Sequence, residues 1–223
     1  MYSKWRCSRL CIWRKKGSIV SKPCIIERQD ASKYSVGDVV ACTLSESTDK
    51  FYVIEEQPLT ASTIQMLTEK NIHTTEYRQS DNAGIVAFSG TNYWSSSVSS
   101  YPADVYNNNS LLYPIVNEYV SYLNTKLTGA TGSLLTYSQA VTLGCDDSVG
   151  NCSSDPSVNG GAATNPAPSW VYSTYYWTGS AIGTTGVKTV YPHGGFSSDR
   201  YDCSFGGDGG VRPVITISTS DIG

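Results

Sequence analysis

Apolar residues fall in short, interrupted runs along this chain, and only two stretches keep a helical period. In "LLYPIVNEYVSYLNTKLTG" (111–129), Ile115, Tyr119, Leu123 and Leu127, with Val116 and Val120, recur at spacings that place them on one helical face. Pro114 suits a first turn, and Lys126 and Gly129 mark the end. In "LLTYSQAVTLG" (134–144), Thr136 and Gln139 make a T-x-x-Q capping box and Gly144 closes the helix. Elsewhere the period is the two-residue alternation of strands. "YSVGDVVACTL" and "DKFYVIEEQ" predict two short strands joined by a turn. "WVYSTYYWTGSA" predicts a strand entering a tight turn, and "GVKTVYPHGGF" a hairpin interrupted at Pro192 and Gly194-Gly195. "GVRPVITIS" reads as a closing strand that either begins near Pro213 or runs along an edge, because proline has no N–H for a ladder. "LTASTIQMLTEKNI" fits both states: Leu59, Thr63 and Met66 suit a helix, Thr63 to Leu67 a strand. The sum is an α+β fold, two helices with short strands joined by long loops.

Directly before the closing strand lies a stretch with no apolar period, "FSSDRYDCSFGGDG" (196–209). Two long polar segments, 74–110 and the Gly/Pro/Ser/Asn-rich "SSDPSVNGGAATNPAPS", also read as loops. Loops this long in a compact domain are functional or disordered as a rule. Composition adds one pointer. There are 16 Tyr against 4 Phe and 5 Trp. Tyrosine offers large contact area with few torsions to freeze and a hydroxyl besides, which suits a binding surface and equally a β-rich domain with wet edges.

The formal charge of −3 is unevenly placed. Lys4, Arg6, Arg9, Arg14, Lys15, Lys16, Lys22 and Arg28 against Glu27 give residues 1–28 a net +7, which leaves −10 on the rest. An acidic body argues against nucleic acid as a partner. Residues 1–30 read as a basic tail, disordered or touching phosphate or anionic lipid, and residues 31–223 as the folded domain. No run approaches the ~18 apolar residues of a membrane span, and the N-terminus lacks the apolar core of a signal peptide. Seven cysteines are present, without a CxxC. Cys145 and Cys152 bracket a polar turn and form either a small disulfide loop, in an oxidising compartment, or two free thiols.

Chemistry-bearing motifs are sparse. His73 and His193 are the only histidines, no G-x-S-x-G elbow occurs, and "GGDGG" precedes a strand rather than a helix. Asp146, Asp147 and Asp155 do not follow a calcium-loop spacing. The expectation is no catalytic residue, no metal and no cofactor.

The order "YSVGDVV…FYVIEE", "TEYRQS…TNYWSSSVSSYP", "LLTYSQAVTLGC…APSWVYSTYYWTGSA" and a terminal "GVRPVITIS" resembles, over about residues 33–218, a bacterial C-type-lectin-like family. Within it, the patternless stretch resembles the variable region of proteins targeted by diversity-generating retroelements. The resemblance implies a C-type-lectin-like (formylglycine-generating-enzyme-like) fold and a variable region at about 180–209, rewritten by error-prone copying at adenines. It implies a non-catalytic display protein for protein or glycan ligands. Ile182, Tyr191, His193, Ser197, Ser198, Asp199, Arg200, Tyr201, Asp202, Ser204 and Phe205 would then be ligand contacts, with Tyr93 and Trp94 nearby. Gly195, Cys203 and Gly206 are also of the residue types that such copying yields, while Trp177, Gly179, Val211, Arg212 and Pro213 would be scaffold. It further implies a cell-surface, extracellular or phage-particle location, with membrane association only through an anchor not recognised in this sequence. The Glu-Pro-Asn and Gln-Pro-Asp tripeptides of calcium-dependent sugar binding are absent, as is a recognisable formylglycine-generating cysteine site. The alternative is a fixed-specificity adhesin, or a tail- or pilus-associated structural protein, of the same fold.

Overall fold

The computed structural model describes residues 21–45, 47–81, 84–90, 94, 97–201 and 209–223. In chain order the strands are β1 (Cys24–Glu27), β2 (Lys33–Tyr34), β3 (Val39–Thr43), β4 (Thr48–Val53), β5 (Gln57–Pro58), β6 (Thr63–Thr68) and β7 (Ala103–Asp104). They continue as β8 (Thr131–Leu134), β9 (Tyr176–Ala181), β10 (Gly186–Val190), β11 (Phe196–Arg200) and β12 (Pro213–Ser218). Helix α1 (Tyr113–Leu123) precedes β8, and α2 (Tyr137–Thr142) follows it. Strands pair antiparallel into a six-stranded sheet, β1-β3-β4-β6-β12-β8, a four-stranded sheet, β11-β10-β9-β7, and the small pair β2-β5. The architecture is therefore α+β.

The larger sheet divides two apolar cores, because strand residues alternate sides. Ile64 and Met66 of β6 and Ile215 and Ile217 of β12 join Val116, Tyr119 and Leu123 of α1. Leu67 and Val214, one position out of phase, join Ala140 and Leu143 of α2 and Tyr176, Val190 and Phe196 of the second sheet. The ambiguous segment is thus resolved as β6. Burial on both faces, with β4 on one side and β12 on the other, outweighs a weak helical period. β12 is likewise interior, and Pro213 is accepted there as the strand's first residue.

Both helices start as their sequences predict. Pro114 sits in the first turn of α1. Thr136 accepts from the Gln139 N–H at 3.1 Å while Gln139 accepts from the Thr136 N–H at 2.9 Å. Gly144, at φ +110°, leaves α2 in a conformation that a side chain rarely adopts. α1 stops earlier than expected, at Leu123. The Asn124 side chain holds both backbone groups of Ala130, at 2.8 and 3.0 Å, and draws the chain out of the helix; Leu127 is buried just beyond.

The expected tail over 1–30 needs correction at its end. Cys24–Glu27 is a strand paired with β3, and Cys24 is disulfide-bonded to its cross-strand neighbour Cys42. Ordered structure therefore begins before residue 31; residues 1–20 lie outside the described residues. Cys145 and Cys152 form the second disulfide. Between them and the β10–β11 turn, buried Asn151 organises the long polar loop. Its Nδ2 donates to the carbonyls of Asp155 and Gly161 at 2.9 and 2.8 Å, and its Oδ1 accepts from the Ser153 N–H at 2.8 Å.

Arg212, with no exposed surface, joins the pieces. Nε donates to the Thr68 carbonyl at 2.7 Å, Nη1 to Val171 at 3.0 Å and Nη2 to Glu69 at 3.1 Å, and the guanidinium carbon lies 5.1 Å from the Tyr176 ring centroid. Arg212→Met should destabilise the domain by about 3 kcal/mol or more in urea unfolding, since the Thr68 and Glu69 carbonyls lose this donor at roughly 1–3 kcal/mol each, while Val171 keeps the Tyr176 hydroxyl. Arg212→Lys should recover only part, because an ammonium lacks the planar fork. Non-reducing peptide mapping should show Cys24–Cys42 and Cys145–Cys152, and neither crossed pair.

Candidate functional site

The period of two sorts the side chains of the second sheet. In the β10–β11 register Thr189 faces Ser197 and Val187 faces Asp199, and in β9–β10 Thr189 faces Trp177. Tyr175, Trp177, Thr189, Tyr191, Ser197 and Asp199 therefore share one face. Tyr176, Val190 and Phe196 project to the other, into the second core. Trp177 is covered: its Nε1 donates to the Val86 carbonyl at 2.6 Å and its ring meets Phe88 edge-on at 6.0 Å. The Tyr175–Tyr191 end of the same face is only half-buried.

At that end the Tyr175 and Tyr191 rings stack at 4.5 Å and 18°. Both hydroxyls donate to one atom, Asp199 Oδ2, that of Tyr175 at 2.6 Å, and the Thr189 hydroxyl adds a third bond at 3.1 Å. Burial, then the carboxylate that each hydroxyl bonds, push both tyrosines above their ordinary pKa, Tyr175 far above. A bond to an ionised partner is worth about 1.5–3 kcal/mol, so the cluster holds its shape.

A cleft of about 640 Å³ adjoins the cluster along the chain at Thr174 on one side and at Pro192 and His193 on the other. Tyr52 and Trp170, stacked at 4.7 Å, line it together with Tyr172, and Glu69, Lys70 and Asp81 stand around them. Lys70 pairs with Asp81 at 2.8 Å. His193, at φ +73°, sits exposed in the turn between β10 and β11.

The structure brings together only part of the expected contact set. Tyr191, Ser197 and Asp199 share the open face, and His193 lies at its rim. Ser198 and Arg200, both exposed, project from the opposite side of β11. Ile182 lies in the β9–β10 turn, one strand length from His193, on the order of 17 Å for five residues. Tyr201 departs from the expectation of a surface contact. It is 8% exposed, its ring meets Trp94 edge-on at 4.8 Å, and its carbonyl accepts from the Ser89 N–H at 2.9 Å. Trp94 is equally internal, donating to the Gly183 carbonyl at 3.1 Å. Asp202, Cys203, Ser204, Phe205, Gly206 and Tyr93 lie outside the described residues. Tyr175 was missed; its signal was position, immediately before β9 and two residues before Trp177, and so on the same side as Trp177.

The chain re-enters described structure at Gly209, which exchanges backbone bonds with Val86 at 3.0 and 3.3 Å. Gly210 follows so tightly that an added Cβ would lie 2.0 Å from Asn71 Nδ2 and 2.6 Å from the Tyr175 carbonyl. No family model, curated protein or solved structure matches this chain, so its functional reading rests on the chemistry of this face.

Tyr175 and Tyr191 should ionise above pH 10 in the folded protein, followed by tyrosinate absorbance. Their raised folded pKa values give stability that is fully present below pH 10 and lost as pH rises above it, because the unfolded chain releases these protons first. Asp199→Asn should bring both titrations down and flatten that loss.

Proposed function

We propose that this chain is a non-catalytic ligand-display protein of C-type-lectin-like fold, whose segment of about 180–209 is diversified by a retroelement to meet varied ligands. One observation carries the reading. Within the segment β10 is an interior strand and β11 the edge strand, and beyond β11 both Tyr201 and Gly209–Arg212 are held by groups that do not depend on the exposed side chains of β11. Tyr201 is clamped by Trp94 and the Ser89 N–H, and Gly209–Arg212 by Val86, Asn71 and three backbone carbonyls. Ser197, Ser198 and Arg200 project from β11 on either side and belong to neither core. Such positions accept substitution at small cost, as surface positions generally do.

The fixed-specificity adhesin is favoured by a separate observation. Tyr175, outside the segment, and Asp199, inside it, are hydrogen-bonded at 2.6 Å, a pre-set geometry that suits one ligand.

Sequencing this locus in several isolates separates the two. Display predicts a reverse transcriptase gene nearby and a near-copy of the 180–213 coding region differing only at adenines. An invariant segment with no such copy leaves the adhesin. The protein itself gives a second check in urea. Ser197→Ala, Ser198→Ala and Arg200→Ala combined should stay within about 1 kcal/mol of the parent. Tyr201→Ala should cost about 3 kcal/mol or more, as a buried ring does.

A further inference from the structure

Asp199 is a charged group held entirely by neutral ones. Its three hydrogen-bond donors, the Tyr175, Tyr191 and Thr189 hydroxyls, all reach Oδ2. Oδ1 has no hydrogen-bond partner among the described residues, and none of the ion pairs between described residues includes Asp199. An ionised carboxylate offers about four acceptor positions. Here one oxygen is saturated and the other is left on the half-buried face, next to a stacked pair of aromatic rings. A partner that completes this arrangement brings a positive charge, N–H donors directed at Oδ1 and a flat surface for a tyrosine ring. Guanidinium has all three, whereas an ammonium lacks the flat surface.

We propose that this face binds an arginine side chain of a protein ligand, with the guanidinium donating to Asp199 Oδ1 and lying against the Tyr175–Tyr191 pair. The inference rests on the ligand-binding reading above and specifies its ligand for this copy of the segment. Charge complementarity is consistent with it, since residues 29–223 carry a net −10 against the +7 of residues 1–28. Arg200 stands at the alternate position of β11, on the other side of the strand from Asp199. The neighbouring cleft, walled by Tyr52, Trp170 and Tyr172, has room for a residue flanking the arginine.

The test uses isotope-labelled protein and two small probes of the same shape, Nα-acetyl-arginine amide and the uncharged Nα-acetyl-citrulline amide, with a methyl glycoside as a third. The arginine probe should give saturable backbone shifts at 175, 189, 191 and 199. Citrulline should bind at least roughly tenfold more weakly, as expected when a charge-assisted bond becomes a neutral one. Asp199→Asn should abolish the difference between the two. Equal response to both probes, no localised response, or response to the glycoside alone overturns the proposal. The probe comparison needs no variant, so a poorly folded Asp199→Asn leaves it decisive. Position 199 in isolates separates this failure from failure of the display reading. Varied residues there with no arginine response sink only the arginine inference, and an invariant segment sinks diversification whatever the probes do.

Discussion

A guanidinium with no access to water has to find its hydrogen bonds in the protein, and Arg212 finds them in three backbone carbonyls from two separate parts of the chain. Two belong to the end of β6, the third to the turn before β9. One side chain therefore fixes where β12 begins, how β6 ends, and where the approach to the second sheet runs. Tyr176 packs against the same guanidinium and donates its hydroxyl to the Val171 carbonyl at 2.8 Å, so that β9 starts from a rigid point. Leaving such a charge without its acceptors is expensive, which makes the arrangement close to all-or-none.

From that point the geometry of the open face follows. β9 sets β10 and β10 sets β11 by backbone pairing, which is indifferent to most side chains. Gly210 brings the returning chain against Asn71 and the Tyr175 carbonyl, closer than any residue with a side chain allows. β11 is thus held along its paired edge by main chain. Its outward side chains are left to chemistry rather than to folding. The Tyr175–Tyr191–Asp199 cluster shows what such positions can build: a carboxylate whose only hydrogen-bond donors among described residues are neutral hydroxyls, framed by aromatic rings.

Much of the scaffold was legible because its signals are local. The Thr136–Gln139 capping box and the β3–β4 hairpin each declare themselves within a few residues, while the Cys145–Cys152 spacing left a disulfide and two free thiols both open until the fold closed the loop. What escaped depends on distant partners. Cys24 pairs with Cys42 only because β1 and β3 are in register, and a four-residue strand next to a basic segment gives little sign of that. β11 has no apolar period; "FSSDR" becomes a strand because β10 offers it five paired positions. Tyr201 and Trp94 have the composition of a binding surface and the environment of a core, and only tertiary packing tells the two apart. Tyr175 was overlooked for the opposite reason, since its doublet with Tyr176 hid the alternation that sends one ring into the core and the other to the open face.

The account's central claim is that folding and recognition are assigned to different residues of one continuous segment. Saturation mutagenesis of residues 175–213, scored for folded protein displayed on a cell, tests this most directly. The account predicts broad tolerance at Ser197, Ser198 and Arg200, and intolerance at Trp177, Tyr201, Gly210 and Arg212. Intolerance spread evenly along the segment, or tolerance at Arg212 and Tyr201, would contradict it.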